Sequence, residues 1–147
     1  MRSLLLVGCF AHTLQAAVQS HSLAGNNRFE VETGEQLVGI YAASQKTTHT
    51  LLSHHRRDSV SLVRGTLIAP DTELDLFEKT GIYWSGMASK RFHYYSQQST
   101  KVLVEPVKVD RWVEGGDVLE IGGLKIRVLN TPGFTRGAVS YLTVVEG

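Results

Sequence analysis

Seven consecutive residues carry the side chains best suited to chemistry: Ser53-His54-His55-Arg56-Arg57-Asp58-Ser59. The apolar run Thr50-Leu51-Leu52 leads straight into them. A short buried strand ending in His and Asp is a common way to build a metal site, because the strand fixes the backbone and the loop aims the ligands. His54 and Asp58 are the candidate metal ligands. The positions around them carry Arg and Ser, which bring positive charge and a hydroxyl rather than further ligands. Two other readings use the same residues. Arg56 or Arg57 can pair with Asp58 and simply hold the loop. The His54-His55-Arg56-Arg57 run can act as a basic patch, although no wider basic field surrounds it.

The elements that must position this segment follow from spacing and punctuation. Residues 50–53 form the strand that feeds it, and residues 36–43 are apolar enough for a short strand or helix. Residues 60–63 suit a short helix. Residues 66–69 read as a β-branched strand that stops at Pro70. Asp71 or Thr72 can cap a helix running to about Lys79, with Leu74 and Phe77 at helical spacing and Gly81 at its end. Residues 82–95 are aromatic-rich and suit a helix packed on a core, or else a substrate wall.

From Lys101 onward the pattern turns to strands. Residues 101–109 alternate around Val102, Val104 and Val107, and residues 117–121 form a second strand. Gly122-Gly123 is a tight hairpin signal. The returning strand puts Leu124, Ile126 and Val128 on one face and Lys125 and Arg127 on the other. Thr131-Pro132-Gly133 breaks the chain, and residues 138–145 form a last strand. The expected class is α/β of the α+β kind, with a largely antiparallel or mixed sheet.

The chain has 147 residues, enough for one domain with a real core and too few for two. Apolar residues make up 42% and charged residues 20%, an ordinary globular balance that argues against disorder. The net charge of +1 gives no push toward nucleic acid or an acidic membrane. Cys9 is the single cysteine, which excludes an internal disulfide and a cysteine-rich zinc site. Arg2, an apolar stretch over 4–18 and small residues up to Ala24 read as an export signal over residues 1–24. A buried N-terminal helix or strand is the competing reading. That leaves 25–147 as the domain, placed in the periplasm or outside the cell. The stretch is too short and too polar to span a membrane. Ser59 and Ser140 have no histidine and acid partners in evidence, so no serine nucleophile is expected. The Gly-Gly pairs lie at strand turns and make no phosphate-binding loop.

Three stretches together resemble the metallo-β-lactamase fold superfamily of hydrolases. Ser53-His54-His55-Arg56-Arg57-Asp58-Ser59 is similar to its T-H-x-H-x-D-H motif. The run from Val109-Asp110-Arg111 through Gly116-Asp117 to Gly122-Gly123-Leu124 is similar to its D-G-D-x-L-x-x-G-G-L hairpin. Asn130-Thr131-Pro132-Gly133-Phe134-Thr135-Arg136-Gly137-Ala138-Val139-Ser140-Tyr141 is similar to its T-P-G-H-T-x-G-S loop. The resemblance covers residues 48–147. It leaves the first fifty residues poorly matched, with little room for the β-hairpin that opens the family fold.

The resemblance implies half of an α/β/β/α sandwich and an ancestral metal-assisted hydrolysis of an ester, amide, thioester or phosphoester. It implies that His54 is a zinc ligand. It gives Asp58 two roles, ligand of a second metal and catalytic group that orients or deprotonates the attacking water. Arg56, Ser59 and Phe134 stand where the family has histidines. A bridging aspartate and a final histidine would fall beyond Gly147. A catalytic zinc takes three protein ligands and one open position. Two ligands beside an arginine, whose fixed charge repels a dication, make a degenerate site. The expectation is a zinc hydrolase by resemblance, impaired or inactive in this chain, acting on a small molecule if active and not on nucleic acid. The alternative is a non-catalytic interaction scaffold or a vestigial gene fragment. The half-sandwich also implies self-association or a protein partner that completes it.

Overall fold

The computed structural model describes residues 17–23, 26–41, 44–55, 60, 63–82 and 105–144. Two sheets form the architecture. The larger has six strands in sequential order, β1 (Ala17–Leu23), β2 (Asn26–Thr33), β3 (Gln36–Ile40), β4 (His49–Leu51), β5 (Thr66–Pro70) and β6 (Arg111–Val113). Strands β1, β2 and β3 are antiparallel neighbours, whereas β3, β4, β5 and β6 run parallel. The smaller sheet is an antiparallel meander of β7 (Val118–Ile121), β8 (Leu124–Asn130) and β9 (Val139–Thr143).

Period-two alternation decides which side chains meet. In β8, Leu124, Ile126 and Val128 are buried while Lys125 and Arg127 face solvent. These three pack with Leu119 and Ile121 of β7 against Val38, Leu51, Ile68 and Val113 of the larger sheet. The parallel strands are covered on both faces, as parallel strands generally are. Ile68 faces the smaller sheet, while its neighbours Leu67 and Ala69 face a second cluster with Leu52, Phe77 and Val109. Phe77 comes from α1 (Leu74–Glu78), so helix and loops form a layer on the far side of the larger sheet. The result is mixed sheets with few helices, an α+β half-sandwich as expected.

The hairpin turn behaves as its glycines require. Gly122 and Gly123 have φ of 56° and 84°, the left-handed pair that a two-residue turn demands. Thr33 donates its hydroxyl to the Gly122 carbonyl at 2.6 Å, tying the end of β2 to this turn.

Several local expectations are corrected. The first fifty residues do hold a hairpin: β1 and β2 pair over their whole length and β3 extends the meander. Its polar residues hid the pattern, because a β-hairpin needs paired backbone more than apolar content. Residues 1–16, most of the expected export signal, lie outside the described residues, and Ala17–Leu23 at its end is β1. Neither Asp71 nor Thr72 caps the helix. Asp71–Glu73 is a 3-10 turn with Pro70 at its N-cap, and it leads into α1, whose N-cap position is held by Glu73 without a side-chain bond. Gly81 does not end a helix, since residues 80–82 are themselves helical. Of the strand expected over residues 101–109, residues 101–104 lie outside the described residues and 105–109 are not strand. The amides of Val107 and Asp110 instead bond to the carbonyls of Phe77 and Leu67. Residues 83–100, including nearly all of the aromatic segment, lie outside the described residues.

Candidate functional site

The Ser53-His54-His55 loop begins where β4 leaves the larger sheet. The Leu52 amide still bonds to the Ile68 carbonyl, the last rung beside β5. Beyond it the loop is held by partners distant in sequence. Tyr141, from β9, donates its hydroxyl to the Leu52 carbonyl at 2.9 Å, and the Val139 amide donates to the Ser53 carbonyl at 2.9 Å. The His55 amide donates to Glu73 Oε2 at 2.5 Å. Glu73 is fully buried, and its Oε1 has no hydrogen-bond partner among the described residues.

His54 is fixed by two hydroxyls. Its Nδ1 lies 2.5 Å from Tyr41 Oη and 2.9 Å from Ser53 Oγ. Those two oxygens also bond to each other. Tyr41 sits just past β3 with φ of 52°, the one non-glycine positive φ among the described residues. A side chain in that region costs of order 1–3 kcal/mol, so surrounding contacts must hold it there. Burial pushes the Tyr41 phenol above its ordinary value, outweighing its bonds to Ser53 and His54. The phenol therefore stays protonated at neutral pH and serves as a hydrogen-bonding group, not a phenolate nucleophile or base. With Nδ1 engaged, ligation of a metal by His54 would have to use Nε2.

His55 points elsewhere. Its ring meets Phe77 edge-on, with centroids 4.9 Å apart, and its Nε2 is buried without a hydrogen-bond partner among the described residues. Burial holds its pKa below the ordinary histidine value, against the opposing pull of Glu73. It is a neutral core histidine behind the loop.

The Thr131–Ala138 connection brings Phe134 to the site. The Phe134 ring is 77% exposed, yet it lies 4.7 Å from the His54 ring, tilted by 54°. This loop is pinned from below. Arg136 donates from Nη2 to both carboxylate oxygens of Asp75, at 2.5 and 2.6 Å, and Thr72 donates its hydroxyl to the Gly137 carbonyl at 3.0 Å. A Cβ on Gly137 would stand 2.8 Å from Glu73 Cγ, so only glycine permits this approach.

The structure thus joins two motifs that lie about eighty residues apart, the His54 loop and the Phe134 loop. Asp58, Arg56, Arg57 and Ser59 lie outside the described residues, so the described part of the site offers His54 alone of the expected ligands. No group of three or more His, Cys, Asp or Glu is placed to hold a metal among the described residues. An apolar ring packs against His54 on the loop where the resemblance calls for a ligand. The described residues do not fit a zinc centre. Their chemistry is that of an imidazole locked by two hydroxyls and shielded by a ring.

Sequence reasoning missed Tyr41 and Glu73. Glu73 lies three and four residues before Leu76 and Phe77, both buried. That spacing places all three on one helical face and was a legible sign that this acid points inward. Tyr41 had no comparable signal, since its partners lie twelve and thirteen residues downstream.

No protein-family model and no curated protein matches the chain. Solved structures do. A β-lactamase from Chitinophaga pinensis superposes with TM-score 0.60 at 18% identity, covering 82% of this chain and 51% of its own. MEM-A1, a subclass B3 metallo-β-lactamase from a soil metagenome library, gives 0.62 at 16% identity, covering 91% and 57%. A metallo-β-lactamase from Cronobacter sakazakii, characterised by a HARLDQ motif, gives 0.56 at 15% identity, covering 81% and 51%. The likeness therefore reaches well into the first fifty residues, further than the motifs alone suggested. The chain spans about half the length of the solved structures that it matches. The two packed sheets, the site loop at the end of β4 and these superpositions lead to one conclusion, that this chain has the metallo-β-lactamase fold.

Proposed function

We propose that this is a metallo-β-lactamase-like domain derived from a metal-dependent hydrolase, with zinc affinity and hydrolysis impaired at its own site. The observation that carries the reading is the Phe134 ring seated against His54. A phenyl ring has no lone pair to offer a metal, and it takes the place beside His54 where another donor would have to stand. Arg56 weighs less. The Cronobacter protein, named a metallo-β-lactamase, carries a His-Ala-Arg-Leu-Asp-Gln motif, to which this chain's His54-His55-Arg56-Arg57-Asp58-Ser59 is similar. The two share His, Arg and Asp at alternate positions, so an arginine at the third place accompanies that name elsewhere.

The active version of the proposal is one zinc held by His54, Asp58 and a third group, with Asp58 orienting a water toward a small ester, amide, thioester or phosphoester. Isothermal titration with Zn²⁺, alongside turnover of a chromogenic cephalosporin and of p-nitrophenyl acetate, decides between the versions. The impaired reading predicts no zinc binding tighter than about micromolar, an affinity of roughly 8 kcal/mol, and turnover no faster than buffer. Tighter binding with zinc-dependent turnover would overturn it.

The second reading is a non-catalytic interaction module. It is favoured by the outer face of the β7–β8–β9 sheet, where Val118, Leu142 and Val144 are 57%, 52% and 81% exposed. Large apolar side chains gathered on one sheet face mark an interaction surface more often than scattered ones do.

A further inference from the structure

We propose that Glu73 is the joint between the two loops of the candidate site: its Oε2 holds the His54 loop, and its Oε1 accepts from the Thr135 hydroxyl of the Phe134 loop, so that movement of one loop is passed to the other. The proposal goes beyond both readings above and does not depend on whether the domain binds zinc. The first half of the joint is on view, since the His55 amide donates to Glu73 Oε2 at 2.5 Å. The second half follows from two orphaned atoms. Glu73 Oε1 and Thr135 Oγ1 are buried, and neither has a hydrogen-bond partner among the described residues. A buried polar group left unpaired is costly, a carboxylate above all. A carboxylate oxygen accepts and a threonine hydroxyl donates, so each supplies what the other lacks.

Packing brings these two residues together. A Cβ on Gly137 would stand 2.8 Å from Glu73 Cγ, so the Glu73 stem lies against the backbone two residues past Thr135. Its chain neighbour Thr72 donates to the Gly137 carbonyl at 3.0 Å, which fixes the same stretch from the same side. A hydroxyl turns about one bond to reach its acceptor, and a single water spans a gap longer than a direct bond. The Arg136–Asp75 pair also holds this loop, but it is solvent-exposed and of a kind that contributes little. The buried link therefore outweighs the exposed one. Phe134 directly precedes Thr135, and its ring packs on His54. A ligand that lifts that ring away draws on Thr135, and through Glu73 on the His55 amide. His55 Nε2 is the rival donor, a third buried atom without a partner among the described residues, and the experiment separates it from Thr135.

The test uses the full chain, nitrogen–proton correlation spectra and urea unfolding. Thr135→Val removes the hydroxyl at nearly constant volume. It should move the His55 amide resonance, which belongs to a residue about eighty positions away in sequence. It should also lower the folding equilibrium constant at least about fivefold. Thr135→Ser keeps the hydroxyl and should restore both. In a Glu73→Ala background, Thr135→Val should add less than about twofold, because the acceptor is already gone. Where Thr135→Val or Glu73→Ala fails to fold, Thr135→Ala against Thr135→Ser repeats the comparison on the His55 amide. An amide that stays in place when the hydroxyl is removed would overturn the proposal, and it is the result expected if His55 Nε2 is the donor to Glu73. So would a Thr135→Ser variant no better than Thr135→Val, or effects of Thr135→Val and Glu73→Ala that simply multiply. None of these outcomes touches the zinc titration, which decides separately whether the domain is catalytic.

Discussion

In the β7–β8 hairpin, buried and exposed side chains alternate without a break from Val118 to Leu129 outside the turn itself. At the Ser53-His54-His55 loop, three consecutive residues divide between two unrelated surroundings. Ser53 and His54 bond to Tyr41, while His55 turns back onto Phe77 and hangs its amide on Glu73. The hairpin is organised by contacts between near neighbours in sequence. The loop is organised by contacts whose partners lie 12, 18 and 89 residues away. Local periodicity builds a frame, and remote hydrogen bonds aim the side chains that the frame presents.

The comparison can be broken most forcefully from the frame. Leu119 is fully buried between the sheets. Leu119→Ala should cost about 2–5 kcal/mol, read from the midpoint of urea unfolding at constant slope. The ring resonances of His54 should hardly shift in the folded variant, because Tyr41 and Ser53, whose hydroxyls bond to its ring, lie away from β7. A cost below about 1 kcal/mol would mean that the hairpin is not the rigid partner claimed for it.

The loop should respond the other way, with a smaller stability cost and a larger local change. Glu73→Ala leaves the buried His55 amide without its acceptor, which costs about 1–3 kcal/mol. Glu73→Gln keeps an oxygen for that amide and should recover most of the loss. The His55 amide resonance in a nitrogen–proton correlation spectrum should move strongly in the alanine variant and slightly in the glutamine variant. Equal effects in both variants would show that the charge of Glu73, and not its hydrogen bond, holds the loop.

This division also explains what could be read from the chain. The hairpin was legible because Gly122-Gly123 and the alternation after it need no knowledge of distant residues. The strand ending at Pro70 was legible for the same reason. The meander of β1, β2 and β3 was not, because its polar residues carry no apolar alternation to read. The helix after Pro70 was placed correctly but given the wrong cap. Thr72 spends its hydroxyl on Gly137, sixty-five residues away, and no local rule anticipates that bond. His54 was legible as a site residue, and the approach of Phe134 followed from matching two loops. Tyr41, the residue that orients His54, was hidden by a backbone conformation that side chains rarely adopt.

The smallest expected effect sharpens the comparison through pH. His49 lies on β4 in the frame and His55 lies in the loop, and burial lowers the pKa of both. A histidine whose folded pKa lies below its unfolded value binds fewer protons when folded. Its contribution is therefore intact above the unfolded value of about 6.5. It falls away as pH drops through 6.5 toward the folded pKa, where unfolding takes up a proton. Stability measured by urea unfolding should be flat from pH 8 to about 7 and then decline. His55 is buried and His49 only half-buried, so desolvation weighs more on the loop residue. His55→Gln should therefore flatten the decline more than His49→Gln does. If His49→Gln removes the greater part, the frame carries the more strongly desolvated histidine, and the contrast between a rigid sandwich and a site loop folded back into the core is drawn in the wrong place.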